Sequence, residues 1–374
     1  MKITDVEVLV LRQPEIQYVN DSSQDACVLR VHTDAGIVGI GETDSAPSVV
    51  KACIEAPSSH YLCRGLREIL LGQNPLDIES CWDRMFELSI WYGRRGVALH
   101  AIGALDLALW DIRGKVEGKP VWALLGEKQR SRIRAYASVL MPDRPDDAAR
   151  VAAHWAEHGF TAVKLGWGGF RMGLTAARKL VGAARRALGD EVELLLDVGF
   201  VQRRVPAEAI EWVHQLAEFH PYWIEEILPP DDLDGYRKLA DAVDTPIATG
   251  ENNATVQDFV DLLDRGRVDI VQPDVTRCGG LTVAHRVGWL AHERHRPCVP
   301  HAWRNGIVVS ASLHLNAVLP NAVFQEACQA ETPLNRGLVR ETFDVHDGSL
   351  GIPDAPGLGV TLNEETVNRY RVAN

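Results

Sequence analysis

Seven times between residues 164 and 326 a short apolar run arrives at a chemically active side chain, and after each of the first five a helical stretch follows. TAVKLG carries Lys164, ELLLDVG ends at Asp197, YWIEEI reaches Glu225, and PIATGE stops at Glu251. DIVQPD then ends at Asp274, VPHA at His301 and VFQE at Glu326. The steps between these residues are 33, 28, 26, 23, 27 and 25, close to what one strand, one helix and two loops need. Such a repeat is an α/β fold built as a (β/α) TIM-type barrel. In a closed parallel barrel the C-terminal ends of all strands meet at one face, so these distant acids, the lysine and the histidine converge on one pocket.

A chain of 374 residues exceeds one barrel, which takes about 200 to 250 residues, and leaves room for a smaller second domain. The first 45 residues read as antiparallel strands, with VEVLVLR, CVLRVHT and IVGIGE separated by polar loops. Helical spacing follows in LDIESCWDRMF and in VALHAIGALDLALWDIRGKVEG, and Pro120 with the Gly126 turn closes the unit. The expected division is an α+β capping domain at 1–128, the barrel at 129–332, and a segment at 333–374 that packs back on the cap.

The net charge of −12 argues against nucleic acid, whose phosphates demand a basic face, and favours a small-molecule substrate, with a cation offsetting several acids. Seven cysteines without a C-x-x-C pair read as reduced, mostly buried thiols. MKITDVEVLVLRQ alternates like a strand and lacks the pattern of a signal peptide, and no run of about 18 apolar residues suggests a membrane span. A cytoplasmic homo-oligomer with no membrane or nucleic-acid partner is expected.

Asp197, Glu225 and Glu251 offer only anionic oxygen at consecutive strand ends, a donor set that suits Mg²⁺; without a cation three such charges repel. Asp274 and His301 end the next two strands, where a carboxylate on one imidazole nitrogen leaves the other as a general base. Glu326, one strand further, could donate a hydrogen bond to a developing oxyanion if protonated, with a surface glutamate as the rival reading. Lys164 could bind a substrate carboxylate, move a proton, or pair with one of the acids.

With these residues in place the chain resembles the enolase superfamily, in its mandelate racemase-like branch, along nearly its whole length. LDLALWDIRGKVEGKPVWALLG, WIEE, ATGEN, VDIVQPDVTRCGGLT, VPHAWRNGI and HLNAVLPNAVFQE carry the resemblance in order and spacing. It implies metal-assisted removal of the proton α to a carboxylate. By position, Asp197, Glu225 and Glu251 would hold the metal, His301 with Asp274 would be the base, and Glu326 the electrophile. It also implies that loops at about 15–25 and 43–60 cover the barrel mouth, with Tyr18, Asn20 and Ser45 among the polar candidates for choosing the substrate.

Two departures bear on the reaction. The branch often carries Lys-x-Lys on the second strand, where this chain has Lys164-Leu165-Gly166, and the residue two after Asp197, often Asn, is Gly199. One base favours one-sided chemistry, in which His301 removes the α proton and then helps expel a β-hydroxyl: syn dehydration of an acid sugar to a 2-keto-3-deoxy acid. WIEEILPPDDLDGYRKLA resembles the acid-sugar dehydratases of the branch. An isomerase of the same branch, whether lactone cycloisomerase or epimerase, is the alternative, and a non-catalytic binding barrel a remote one. GWGGFRMG lacks the G-x-G-x-x-G spacing and reads as a tight βα loop beside the pocket, with a phosphate or carboxylate at the helix start as the alternative. His292-Glu293-Arg294-His295 is one residue short of H-E-x-x-H and reads as a structural, solvated stretch. Arg94 and Arg95 read as surface caps.

Overall fold

The computed structural model describes residues 1–19, 21–200, 202–304 and 306–372. Alternating apolar residues build β1 (Ile3–Arg12), β2 (Asp25–Thr33) and β3 (Val38–Thr43) into an antiparallel sheet in the order β1-β2-β3. Behind it run α1 (Pro47–Glu55), α2 (Leu66–Leu70), α3 (Ile78–Leu88), α4 (Ile90–Gly93), α5 (Val97–Glu117) and α6 (Trp122–Leu125). The segment at 43–60 therefore differs from the loop expected at the barrel mouth: Pro47 at the first turn starts α1, which buries Val50 and Ile54. At Gly41 the sheet touches α5, where a Cβ would meet the carbonyl oxygen of Ala104 at 1.9 Å.

Helix α5 is apolar on almost every side because it is covered on every side: by the cap sheet and by the barrel. Its two buried carboxylates satisfy backbone groups on neighbouring elements. Asp106 accepts from the backbone N–H of Thr282 at 2.9 Å and from its hydroxyl at 2.6 Å, while Asp111 accepts from Ile40 N, Leu358 N and Lys115 Nζ. Asp106→Ala is expected to lower unfolding free energy by about 2 to 4 kcal/mol, since two buried donors lose their acceptor. The midpoint of denaturant unfolding measures it; an unchanged midpoint would remove this joint from the stability argument.

From β4 (Arg132–Leu140) strands and helices alternate. The helices are α7 (Pro145–Glu157), α8 (Leu174–Leu188), α9 (Pro206–Leu216), α10 (Leu233–Ala242), α11 (Thr255–Asp261), α12 (Leu281–Glu293) and α13 (Ile307–Val318). The strands after β4 are β5 (Ala162–Gly166), β6 (Glu193–Asp197), β7 (Trp223–Glu225), β8 (Ile247–Thr249), β9 (Ile270–Val271) and β10 (Gln325–Cys328). They form one parallel sheet in the order β10-β4-β5-β6-β7-β8-β9. Parallel bridges from Val271 to Cys298 and from Cys298 to Ala322 curl the two ends toward each other. Inside the ring Tyr136, Leu195, Trp223, Ala248, Ile270, Val299 and Phe324 pack as a second core.

The chain ends with α14 (Pro333–Gly337), β11 (Ser349–Gly351) and α15 (Glu364–Tyr370). Strand β11 pairs antiparallel with β4 of the barrel, and Val372 N donates to Val10 O of the cap at 2.9 Å. The tail thus touches both parts. No disulfide joins the seven cysteines, and among the described residues no helix is long and apolar enough to cross a membrane.

Candidate active site

The ring brings the strand-end residues together at one mouth. Asp197 and Glu225 close β6 and β7 and are register partners, while Glu251 lies two residues beyond β8. One oxygen from each of these three buried acids falls within 4.8 Å of the others. Burial and the neighbouring Glu225 push the Asp197 carboxyl far above its ordinary range, and burial raises Glu225 against the pull of Lys164. A divalent cation relieves this repulsion, and an all-oxygen anionic donor set with room for further ligands matches Mg²⁺. Glu226, not singled out from the sequence, adds another buried acid; both its oxygens receive Asn252 Nδ2, at 3.1 and 3.2 Å.

Lys164 sits in the middle of β5 and lies 2.8 Å from Glu225 Oε1 and 2.9 Å from Glu326 Oε1. Burial disfavours its charge, yet Glu225 and Glu326 outweigh burial and keep the ammonium protonated. Glu326, second in β10, is fully buried, which removes the surface reading. Burial would raise its carboxyl, but Lys164, His301 and the Ala302 N–H, 2.6 Å from Oε2, hold it well below the usual range. This arrangement therefore presents Glu326 as an ionised acceptor, whereas the donor role expected from the sequence needs a protonated acid.

Asp274 lies three residues beyond β9 and forms a parallel bridge with His301, which belongs to no regular strand. His301 Nδ1 is 2.7 Å from Asp274 Oδ2. The other oxygen of Asp274 accepts from Thr276 N and Thr276 Oγ1, both at 2.7 Å, and from Arg277 N at 3.0 Å. That fixes the carboxylate, and with it the ring. Burial opposes a charge on His301, but Glu251, Glu326 and the Asp274 hydrogen bond together push it up to about 9. Its Nε2 is 3.2 Å from Glu251 Oε2, so base and metal acids share one site.

Lys164, Asp197, Glu251 and His301 line a cavity of about 370 Å³. Its roof comes from the first cap loop, through Val19, Asp21 and Ser22, and its walls include Leu140, Trp167 and Trp303. Tyr18 is fully exposed, Ser45 Oγ pairs with His100 Nδ1 at 2.8 Å, and Asn20 lies outside the described residues. Trp167 was not legible as a site residue. It adopts φ 53°, and its indole packs where a Cβ on Gly199 would come within 3.1 Å. The two departures at 166 and 199 thus flank one tryptophan. Among the features read as structural, His292, Glu293 and His295 are exposed, and Arg95 bridges Asp231 and Asp258 of the barrel.

A separate cap roofing a parallel barrel, with the acids on successive strand ends beneath it, defines the enolase class of enzymes. Residues 3–126 match the mandelate racemase / muconate lactonizing enzyme N-terminal domain, and residues 146–366 match the enolase C-terminal domain-like family. The chain belongs to the mandelate racemase-like branch of the enolase superfamily. It is 30% identical over 357 residues to D-galactarolactone cycloisomerase of Agrobacterium fabrum, covering 92% of this chain and 91% of that one. Arabinonate dehydratase of Saccharolobus solfataricus is also 30% identical, over 344 residues, 91% of this chain and 89% of the relative. The crystal structure of the 3,6-anhydro-D-galactonate cycloisomerase from Zobellia galactanivorans superposes with a TM-score of 0.88 at 30% identity, covering both chains fully.

Proposed function

We propose that the protein is a Mg²⁺-dependent lyase that removes the proton α to the carboxylate of an acid sugar and expels the β oxygen as water. The observation that carries this reading is His301, held by Asp274, opening on the same cavity as Asp197 and Glu251 of the three-acid cluster, with glycine where a second base would stand. Asp197, Glu225 and Glu251 would hold the metal. A Mg²⁺ held there would supply positive charge to offset negative charge growing on the substrate carboxylate.

His301 Nε2 takes the α proton, and the C–H electron pair becomes the Cα–Cβ double bond as the β oxygen leaves. The imidazolium returns that proton to the departing oxygen, so one group serves both steps on one face. The resulting enol tautomerises to the 2-keto-3-deoxy acid. Lys164, charged and close to the metal acids, attracts the substrate carboxylate, and Glu326 keeps Lys164 in place.

Two similar proteins are named cycloisomerases, and a second reading shares the same first step. A ring oxygen on the β carbon is a leaving group equivalent to hydroxide, and its departure opens the ring without loss of mass. A panel of aldonic, aldaric and anhydro or lactone acids, followed by mass spectrometry and NMR in D₂O, separates the two: dehydration loses one water, ring opening none. Substrates converted with neither outcome and no α-proton exchange would defeat both.

Two-sided racemisation is disfavoured by space as well as sequence. A Cβ at residue 166 would stand 3.2 Å from Asp197 Cβ and 3.3 Å from its Oδ2, so a lysine there presses on a metal acid. Gly166→Lys is therefore expected to lower turnover without producing α-proton exchange in the opposite epimer. Deuterium entering both epimers at equal rates would show that the pocket accommodates a second base after all.

A further inference from the structure

Three charged residues, two buried and one partly exposed at the cavity, have no part in the chemistry proposed above. They are Asp44, just beyond β3 of the cap, and Arg277 and Arg304 of the barrel. The Asp44 side chain is only 2% exposed, and it touches both arginines. Its Oδ2 receives Arg277 Nη2 at 2.6 Å, and its Oδ1 receives Arg304 Nε at 3.1 Å. Its backbone also takes part, with the carbonyl accepting from Arg277 Nε at 3.1 Å and the N–H donating to Thr276 Oγ1 at 3.2 Å.

Each arginine leads elsewhere. Arg277 Nη1 reaches Glu251 Oε1 at 3.1 Å, and Arg277 Nε lies 3.8 Å from Asp274 Oδ2. Thr276, which Asp44 meets directly, holds the other oxygen of Asp274. Arg304 stands three residues after His301 and donates from Nη2 to Ser22 O at 2.6 Å and from Nη1 to Asp25 O, at the two sides of the roof loop's end. Trp303 adds Nε1 to Asp21 Oδ1 at 3.2 Å.

We propose that Asp44 is a positioning residue through which the cap sets both the active-site acids and the roof: by way of Arg277 it orients Glu251 and Asp274, and by way of Arg304 it anchors residues 13–25. The metal arm rests on the function proposed above; the roof arm does not. An ionised Asp44 shares the Arg277 guanidinium with Glu251. Without that charge Arg277 belongs to Glu251 alone and competes with a metal for its oxygens. Arg304, in turn, loses the partner that fixes its head, and the two loop carbonyls lose a rigid donor.

The test uses the full-length chain with Asp44→Asn, Arg277→Lys and Arg304→Lys. Hydrogen exchange of the metal-free proteins reports the roof, and calorimetric titration with MgCl₂ alone reports the acids. In Asp44→Asn, exchange at residues 13–25 is expected to rise about tenfold while the β4–β8 strands keep their protection. Mg²⁺ affinity should change by roughly 10- to 100-fold, the range for residues that orient metal ligands. Arg304→Lys should reproduce mainly the exchange effect and Arg277→Lys mainly the affinity effect. Exchange rising uniformly along the chain, or the two lysine variants behaving alike, would overturn the proposal in favour of a merely structural ion cluster. If the wild type binds no Mg²⁺ the functional reading fails, and the exchange at 13–25 still decides whether Asp44 anchors the roof.

Discussion

His301→Asn is expected to lose α-proton exchange and product formation together, by a factor at or above the ~10² to 10⁴ typical of one general acid–base group, because one imidazole serves twice. The fold should survive. Asp274 keeps its hydrogen bonds from Thr276 and Arg277 when the ring is removed, so no buried carboxylate is orphaned. Asp274→Asn makes a finer test. Asp274 is one of the groups that raise His301, so its loss lowers the imidazole pKa. The free base then exists at lower pH, and the ascending limb of the pH–rate profile should move down in pH while its plateau falls, since a less basic, unfixed ring abstracts protons more slowly. NMR exchange in D₂O with both variants measures this. Exchange at the wild-type rate in His301→Asn would pass the base role to Lys164 and end the one-sided mechanism.

Glu225→Gln is expected to weaken Mg²⁺ binding beyond the roughly 10- to 100-fold cost of disturbing residues behind the ligands, and turnover should fall with it. An amide removes one of three anionic donors. It also strips Lys164 of the partner at 2.8 Å and leaves it with Glu326 alone, while its carbonyl can still accept from Trp223 Nε1, as Glu225 Oε2 does at 2.9 Å. Calorimetric titration with Mg²⁺, with circular dichroism to check the fold, gives the result. Wild-type turnover at limiting metal would refute the assignment of Glu225 as a ligand.

The barrel and its acids were legible because chain geometry repeats where side-chain chemistry repeats. The regular strands are nevertheless shorter than the apolar runs: β8 has three residues and β9 two, so Glu251 and Asp274 act from the turns just beyond them. His301 is held by a single bridge to Asp274, and it was the run VPHA, not strand length, that marked it. Helix α13, which follows His301, has no helical signature in the sequence because all twelve of its residues are buried, which erases the polar face that a periodic reading needs. The cluster of Asp44, Arg277 and Arg304 had no local signal at all. Asp44 stands more than 230 residues from either arginine, and isolated charges between strands look like solvent-facing residues. Trp167 was hidden similarly, since its role depends on an unusual backbone angle and on the missing side chain of Gly199.

Helix α5 carries a wider implication. Asp106 satisfies the start of α12 in the barrel, and Asp111 satisfies both β3 and the returning tail, so three distant stretches of chain depend on one helix. Cap and barrel share these buried hydrogen bonds, so a substitution that breaks them should lower the stability of both parts. The same hub separates inheritance from innovation. Val19, Asp21 and Ser22 of the first cap loop meet the cavity yet contribute nothing to this joint, so that loop's sequence can be exchanged to admit a differently shaped acid while the joint is left as it is. Grafting that loop between relatives is accordingly the shortest route to a new specificity on this scaffold.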